Sequence, residues 1–280
     1  MIALVLMLAA AIGSLPRVYT PDTSVEGYTK VPPPNIRMRM NEASATTVPW
    51  IDSNASRYMR GVKKAFYAKL PAGSAPLAAA EAFAYGVDAI LEPAPDDKQA
   101  LTAMLEFLRR VDAPRMPMLA NIGIVDDASP EMAEVLNLLS RRNLLYRVVT
   151  APDPKLDLNI RIGSEQYPRD AVKNPNDFAA RVREKLTDDK RLVRLFNTYT
   201  VIVNLTGENS RARLHVLNYA RRPAKDIRVR VLGEYKQVKL HEAADATMAA
   251  QDVIVADRGT EFTTPQIATY AVIDLESKSK

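Results

Sequence analysis

The stretch "ANIGIVDDASPEMAEVLNLLSRRNLLYRVV", residues 120–149, decides the fold class. It opens inside an apolar run, "MLANIGIV" (118–125), with the length and composition of a central, fully covered strand. Ser129 then stands directly before Pro130, a capping side chain followed by the residue whose fixed φ and missing N–H suit the first helical position. The helix closes on basic residues and Asn143, and "LLYRVVT" (144–150) reads as a second buried strand. Strand, helix and strand at this spacing form a βαβ unit, with parallel strands and a right-handed crossover.

The same alternation extends in both directions. Upstream, "SAPLAAAEAFAYG" (74–86) has a capping serine, an alanine-rich body and a glycine stop, and "VDAILE" (87–92) follows as a short buried strand. In "DDKQALTAMLEFLRR" (96–110), Leu101, Met104, Leu105 and Leu108 fall on one helical face, with acids at its start and Arg109 and Arg110 at its end. Downstream come "LDLNIRIG" (156–163) and the helix "NPNDFAARVREKL" (174–186). An α/β domain is therefore predicted over residues 74–197. From residue 198 the period changes to two. "TYTVIVNLTG", "ARLHVLNYA", "IRVRVLG", "KQVKLHEA", "DVIVADRG" and "ATYAVIDLE" are short strands divided by turn residues. They predict a small antiparallel β-sandwich over 198–276, with 277–280 as a tail.

Before residue 74 the pattern is weaker. Residues 15–73 are rich in proline and polar residues, and predict an irregular segment packed on the α/β domain, with short strands near Ile36–Met40 and Lys64–Ala68. The opening "MIALVLMLAAAIGSLPR" has an apolar run too short to span a bilayer, which needs roughly 20 residues. It fits a signal segment over residues 1–14, cut near Gly13 or Ser14, and hence a periplasmic or secreted protein. No Lys or Arg precedes the run, so a buried first element of a cytoplasmic domain is the alternative. Under eukaryotic export, Asn54 in "NAS" and Asn204 in "NLT" are glycosylation acceptors.

Composition narrows the chemistry. The 280 residues suit two ordinary domains, and 47% hydrophobic with 25% charged content marks a folded chain. The net charge of +5 is spread without a polybasic run, so nothing points to nucleic acid. There is no cysteine, which removes disulfides, thiolate metal sites and thiol nucleophiles together.

Residues 120–149 resemble the first βαβ of a class I glutamine-amidotransferase-like domain. The closing run, from "VIVNLTGENSRARLHVLNYARRPAKDIRVRVLG" to "TEFTTPQIATYAVIDLE", is similar to the β-sandwich that ends many glycosidases, as in the β-galactosidase group that trimerises. The resemblance covers roughly residues 74–276. It implies an α/β plus all-β chain: a flavodoxin-like, amidotransferase-like parallel-sheet domain followed by the sandwich. The catalytic barrel of those glycosidases is missing, because eight βα units cannot be counted. Amidase activity does not carry over either. It needs a cysteine and a histidine base, and the two histidines, His215 and His241, both lie in the sandwich.

Ser164 in "RIGSEQ" lacks the second glycine and the imidazole of a nucleophile elbow. Neither phosphate-loop signature occurs, so no cofactor is implied, and no metal site is expected. Asp126 and Asp127 stand at the carboxyl end of a predicted parallel strand, where open α/β sheets bind ligands; the same two residues serve a turn and a helix start. Carboxylates for glycoside hydrolysis could come from Asp52, Glu81, Glu92 and Glu165. Glu81, in an otherwise apolar helix, is either on an exposed stripe or buried with a partner such as Arg57. In "TTVPWIDSNASRYMRG" (46–61), the sole tryptophan, Trp50, is followed by Asp52, Asn54, Arg57 and Tyr58. These suit a sugar pocket, and equally a polar turn pinned by one aromatic.

The favoured expectation is an exported carbohydrate-related protein, a non-catalytic glycan-binding or glycosidase-accessory module. A glycoside hydrolase using Asp52, Glu81 and Glu165 is the first alternative, and an oligomerisation module without a small ligand is the second. The partners expected are an oligosaccharide, a second copy or a glycosidase, with no nucleic acid and no membrane span in the mature chain.

Overall fold

The computed structural model describes residues 15–37 and 49–277. The signal segment expected over 1–14, the part of the Ile36–Met40 strand beyond Arg37, and the end of the 277–280 tail lie outside the described residues.

The α/β half contains two parallel sheets. The first takes its outer strands from the stretch expected to be irregular: β1 (Arg17–Val18) and β2 (Thr29–Lys30). A short antiparallel pair follows, β3 (Asn35–Arg37) with β4 (Trp50–Asp52), then α1 (Ala55–Met59). Next come β5 (Lys64–Tyr67), α2 (Ala75–Tyr85) and β6 (Asp88–Leu91), a βαβ unit. The sheet runs β1-β6-β5-β2, all parallel. Two-residue strands are too short to show a period, so the sequence pattern passed over β1 and β2.

Helix α3 (Lys98–Val111) leads to the second sheet. There β7 (Ile122–Val125), α4 (Pro130–Arg141) and β8 (Tyr146–Val149) form the βαβ unit of residues 120–149, with Ile122 opposite Tyr146 and Val125 opposite Val149. β9 (Leu158–Arg161) pairs parallel on the other side of β7, and α5 (Pro175–Leu186) packs on α4. Ser129 caps α4 as its position predicts, accepting the Met132 N–H at 3.1 Å.

The sandwich begins earlier than residue 198. β10 (Val193–Phe196) pairs antiparallel with β13 (Ala224–Leu232), so it belongs to the β half. The remaining strands are β11 (Val201–Glu208), β12 (Arg211–Asn218), β14 (Gln237–Glu242), β15 (Gln251–Ala256), β16 (Gly259–Ile267) and β17 (Tyr270–Glu276). They complete two antiparallel sheets, β10-β13-β16-β15 and β11-β12-β17-β14. Ser277 is held to Ser210 and Glu234 by hydrogen bonds.

Three cores follow from this arrangement. One lies between the two sandwich sheets, around Leu214, Val229, Phe262 and Ile273. A second lies under α4 and α5, around Ile124, Leu139 and Phe178. The third joins the halves: α2, α3 and the first parallel sheet bury Leu101, Leu108 and Phe83 against Leu217, Tyr270 and Val272 of β12 and β17. Helix α2 is thus covered on almost every side. Its start is capped at long range. Asp97 accepts the N–H groups of Gly73 at 2.6 Å and Ala75 at 3.0 Å, whereas the Ser74 hydroxyl, the expected cap, donates to Pro71 O. Its end is as predicted, with Gly86 at φ 71; a Cβ there would stand 1.6 Å from Arg115 Nη1.

His215 sits in the joining core. Its Nδ1 and the Tyr270 hydroxyl are hydrogen-bonded at 2.7 Å, and the two rings stack with an interplanar angle of 11°. Burial first, then the charges of Arg213 and Arg115, push its pKa down to about 3. The unfolded chain takes up this proton near pH ~6.5 and the folded chain refuses it, so stability is lost as pH falls from there toward about 3. His215→Gln should remove this slope, roughly 1.4 kcal/mol per pH unit between pH ~6 and ~4. Urea unfolding across that range measures it; parallel profiles for the two proteins would contradict the assignment.

Candidate functional site

Alternation along β4 buries Ile51 and leaves Trp50 and Asp52 on the other face. The register with β3 sets Asn35 opposite Asp52 and Arg37 opposite Trp50. The Asp52 carboxylate receives Arg37 Nε at 2.8 Å and Nη2 at 2.9 Å, and the Trp50 indole N–H at 2.8 Å. Arg141 of α4 lies over the Trp50 ring, 4.3 Å from its centroid. A cleft of ≈ 770 Å³ opens here. Trp50, Asp52 and Arg37 form one wall, Arg57 of α1 and Arg60 just beyond it the floor, and Glu134 and Asn137 of α4 the facing wall.

Three of the residues expected in a sugar pocket are therefore in the cleft: Trp50, Asp52 and Arg57. Asn54 and Tyr58 are not. Both are buried, and both serve Glu81 or its neighbours. Asp126 is taken by Arg60, at 2.8 and 2.9 Å, and also accepts Ala128 N–H. Asp127 accepts the Ser129 N–H at 3.0 Å; the Ser129 side chain chiefly, then its backbone N–H and Arg169, hold the Asp127 carboxyl below the usual range against the opposing effect of burial. The pair shapes the entry to α4 and lines no part of the cleft.

Glu81 is fully buried, and its partner is not Arg57, whose guanidinium bonds Asn54 Oδ1 at 3.1 Å. The carboxylate instead collects five uncharged donors. Oε1 accepts from Ser53 Oγ at 2.9 Å, Asn54 N at 2.9 Å and Tyr219 OH at 2.6 Å. Oε2 accepts from Asn54 Nδ2 at 3.0 Å and Tyr67 OH at 2.9 Å. Tyr58 OH in turn reaches the Tyr67 hydroxyl. Burial, followed by the Glu81 charge, raises the pKa of Tyr58, Tyr67 and Tyr219 well above the ordinary value, so these hydroxyls keep their protons and donate.

Of the remaining candidates, Glu92 accepts the Lys69 N–H at 3.0 Å. Glu165 is exposed, on the turn after β9. Ser164 donates to Arg161 O within that turn. His215 and His241 align with the same residue, Val272, from opposite sides of β17, so a strand separates them. Asn54 and Asn204 are both buried, and Asn204 donates to Ala84 O at 2.8 Å, so neither amide is open to a glycan. No group of three or more His, Cys, Asp or Glu side chains among the described residues could hold a metal ion, and no described helix is long and apolar enough to cross a membrane.

What sequence reading missed is tertiary. Arg37, Arg60 and Asn137 reach the cleft from segments far apart in the chain. Tyr67 and Tyr219 carried a signal only in being aromatics at the ends of predicted strands.

The comparisons with known proteins bear on fold. No family model matches the chain, and no curated protein matches it in sequence. Among solved structures it is similar to an α-L-fucosidase, isoenzyme 2, from Paenibacillus thiaminolyticus: TM-score 0.54, 9% identity, over 77% of this chain and 60% of the fucosidase. It is also similar to a GH42 β-galactosidase from G. stearothermophilus (TM-score 0.45, 11% identity, 72% of this chain and 50% of that one). A β-galactosidase from Bacillus circulans sp. alkalophilus gives TM-score 0.41 at 9% identity, over 72% of this chain and 52% of that one. The chain thus spans about three fifths of the fucosidase and half of each galactosidase. The fold expected from the sequence, parallel α/β followed by an antiparallel β-sandwich, is the fold observed.

Glu81 supplies a direct test. Glu81→Gln turns two acceptor oxygens into one and sets an NH₂ against donors, so it should cost roughly 3 kcal/mol; Tyr219→Phe should cost about 1.5 kcal/mol. Denaturant unfolding reads both, and an unchanged midpoint for Glu81→Gln would show that the cage contributes no stability.

Proposed function

We propose that the chain is a non-catalytic, glycan-binding or glycosidase-accessory protein, and that the Trp50 cleft takes the saccharide. The cleft carries this reading: it combines an indole wall with Asn35, Asp52, Arg57 and Asn137, the mixture of ring surface and fixed polar groups that sugars need. The hydrolase alternative draws less support. Of Asp52, Glu81 and Glu165, only Asp52 lines the cleft, and it is already neutralised by Arg37.

Trp50 is the only tryptophan, so its emission reports on the cleft alone. Titration with a panel of neutral oligosaccharides should give a saturable emission change for at least one, without release of product. Ligand at 100 times its Kd should add about 2.7 kcal/mol of stability. Asn137 lines the cleft from α4, so Asn137→Ala should weaken binding without lowering the unfolding midpoint. A panel that leaves both emission and melting unchanged would contradict the reading, and hydrolysis of a glycan would overturn its non-catalytic part.

A second reading, self-association, rests on β15. This edge strand exposes Val253, Ile254 and Val255 in a row, a template for pairing with a second copy. Light scattering should show an oligomer that Ile254→Lys dissociates; a monomer at all concentrations would exclude it.

A further inference from the structure

We propose that the groove between the C-terminal ends of α4 and α5 and the first strands of the sandwich binds a tetrahedral oxyanion, a sulfate or phosphate monoester carried on a ring-bearing ligand. The groove has a volume of ≈ 380 Å³ and shares no lining residue with the Trp50 cleft. Five arginines line it. Arg141 is engaged toward Trp50, lying over its ring and donating to Pro49 O at 2.9 Å, which leaves the guanidinium groups of Arg142, Arg183, Arg191 and Arg194 to the groove. One carboxylate, Asp188, answers three of them, at 3.4 Å from Arg183, 3.2 Å from Arg191 and 3.3 Å from Arg194. Arg142 is turned instead to Asn176 Oδ1, at 2.8 Å, with Asp177 as the acid acting on it. The groove therefore holds a clear excess of positive charge.

Two helix ends explain part of this cluster. Arg142 and Arg183 complement the dipoles of α4 and α5. They do not explain Arg191 and Arg194, which precede and begin β10. Arg191 is only 8% exposed, and the buried Nε atoms of both residues have no hydrogen-bond partner among the described residues. Burial, followed by the charge of Arg183, lowers the Arg142 pKa; burial, with Arg183 and Arg194 opposing Asp188, lowers that of Arg191. Crowding like charges in this way is unfavourable for the free protein, and an anion relieves it. Guanidinium forks match the oxygen spacing of sulfate and phosphate, and they stay charged at any working pH.

The ring requirement comes from a separate observation. Phe196 and Tyr199, 38% and 70% exposed, are two of the few exposed large hydrophobic side chains, and both line this groove. Arg194 lies over the Phe196 ring at 5.0 Å from its centroid. An aromatic shelf beside an arginine cluster suits a ligand with a sugar or other ring next to its anionic ester.

Calorimetric titration at constant ionic strength, with glucose 6-sulfate, glucose 6-phosphate, inorganic sulfate, inorganic phosphate and glucose as probes, tests the proposal. At least one monoester should bind tenfold or more tightly than its inorganic ion, and any heat from glucose should be unchanged in Arg183→Gln. The sources separate by pH: affinity for the phosphate ester should fall below pH ~6, where it loses a charge, while that for the sulfate ester stays level. Arg183 is half exposed, so Arg183→Gln should fold normally and weaken ester binding at least fivefold, with Arg183→Lys intermediate. Binding of neither ester, or ester affinity unchanged in Arg183→Gln, would overturn the proposal.

Discussion

A buried carboxylate without a charged partner organises this molecule. Glu81 stands in the middle of α2, where an ionised side chain costs several kcal/mol unless its oxygens are satisfied. Its donors come from three other segments: the Ser53–Asn54 turn after β4, Tyr67 at the end of β5, and Tyr219 just beyond β12. The first two belong to the α/β half and the third to the sandwich. One side chain therefore fixes the seating of α2 on its own sheet and on the neighbouring domain. The apolar contacts of Phe83, Leu108, Tyr270 and Val272 supply area at this junction, and the Glu81 cage supplies its register.

The open cleft inherits its geometry from that contact. The turn whose backbone and side chains reach Glu81 is also the turn that leads from β4 into α1. A shift at Asn54 would move Trp50 and Asp52 on one side and Arg57 and Arg60 on the other. Arg60 then ties α1 to Asp126 and to the Ser129 carbonyl, which sets α4 as the facing wall. The residues that shape the site are thus mostly behind it.

Much of the architecture was legible in the sequence, because period and end signals act locally. Ser129–Pro130 placed the start of α4, Gly86 the end of α2, and the alternating run from "TYTVIVNLTG" onward marked the sandwich. In the first parallel sheet the central strands β5 and β6 were legible, but the outer ones were not, since β1 and β2 are two residues each and gain their identity only by pairing with β6 and β5. At the candidate site, Trp50, Asp52 and Arg57 were singled out by clustering within eight residues, and they do share the cleft. Glu81 was marked as anomalous by its apolar surroundings, yet its partners were not foreseen. A charged group suggested an arginine, whereas hydroxyls and amides distant in sequence satisfy it. The arginine groove was invisible for a similar reason: Arg142, Arg183, Arg191 and Arg194 each look like an ordinary helix-end or strand-edge cation until the fold gathers them.

The junction at Glu81 makes the α/β half and the sandwich a single cooperative unit. Equilibrium unfolding followed by two probes tests this most directly: Trp50 emission, which senses the α/β half, and far-UV circular dichroism, which includes every sandwich strand. Coincident transitions with one midpoint are the expected result. A Trp50 transition that is complete while the β signal remains native would show that the two halves unfold independently, and would contradict the central place given to Glu81.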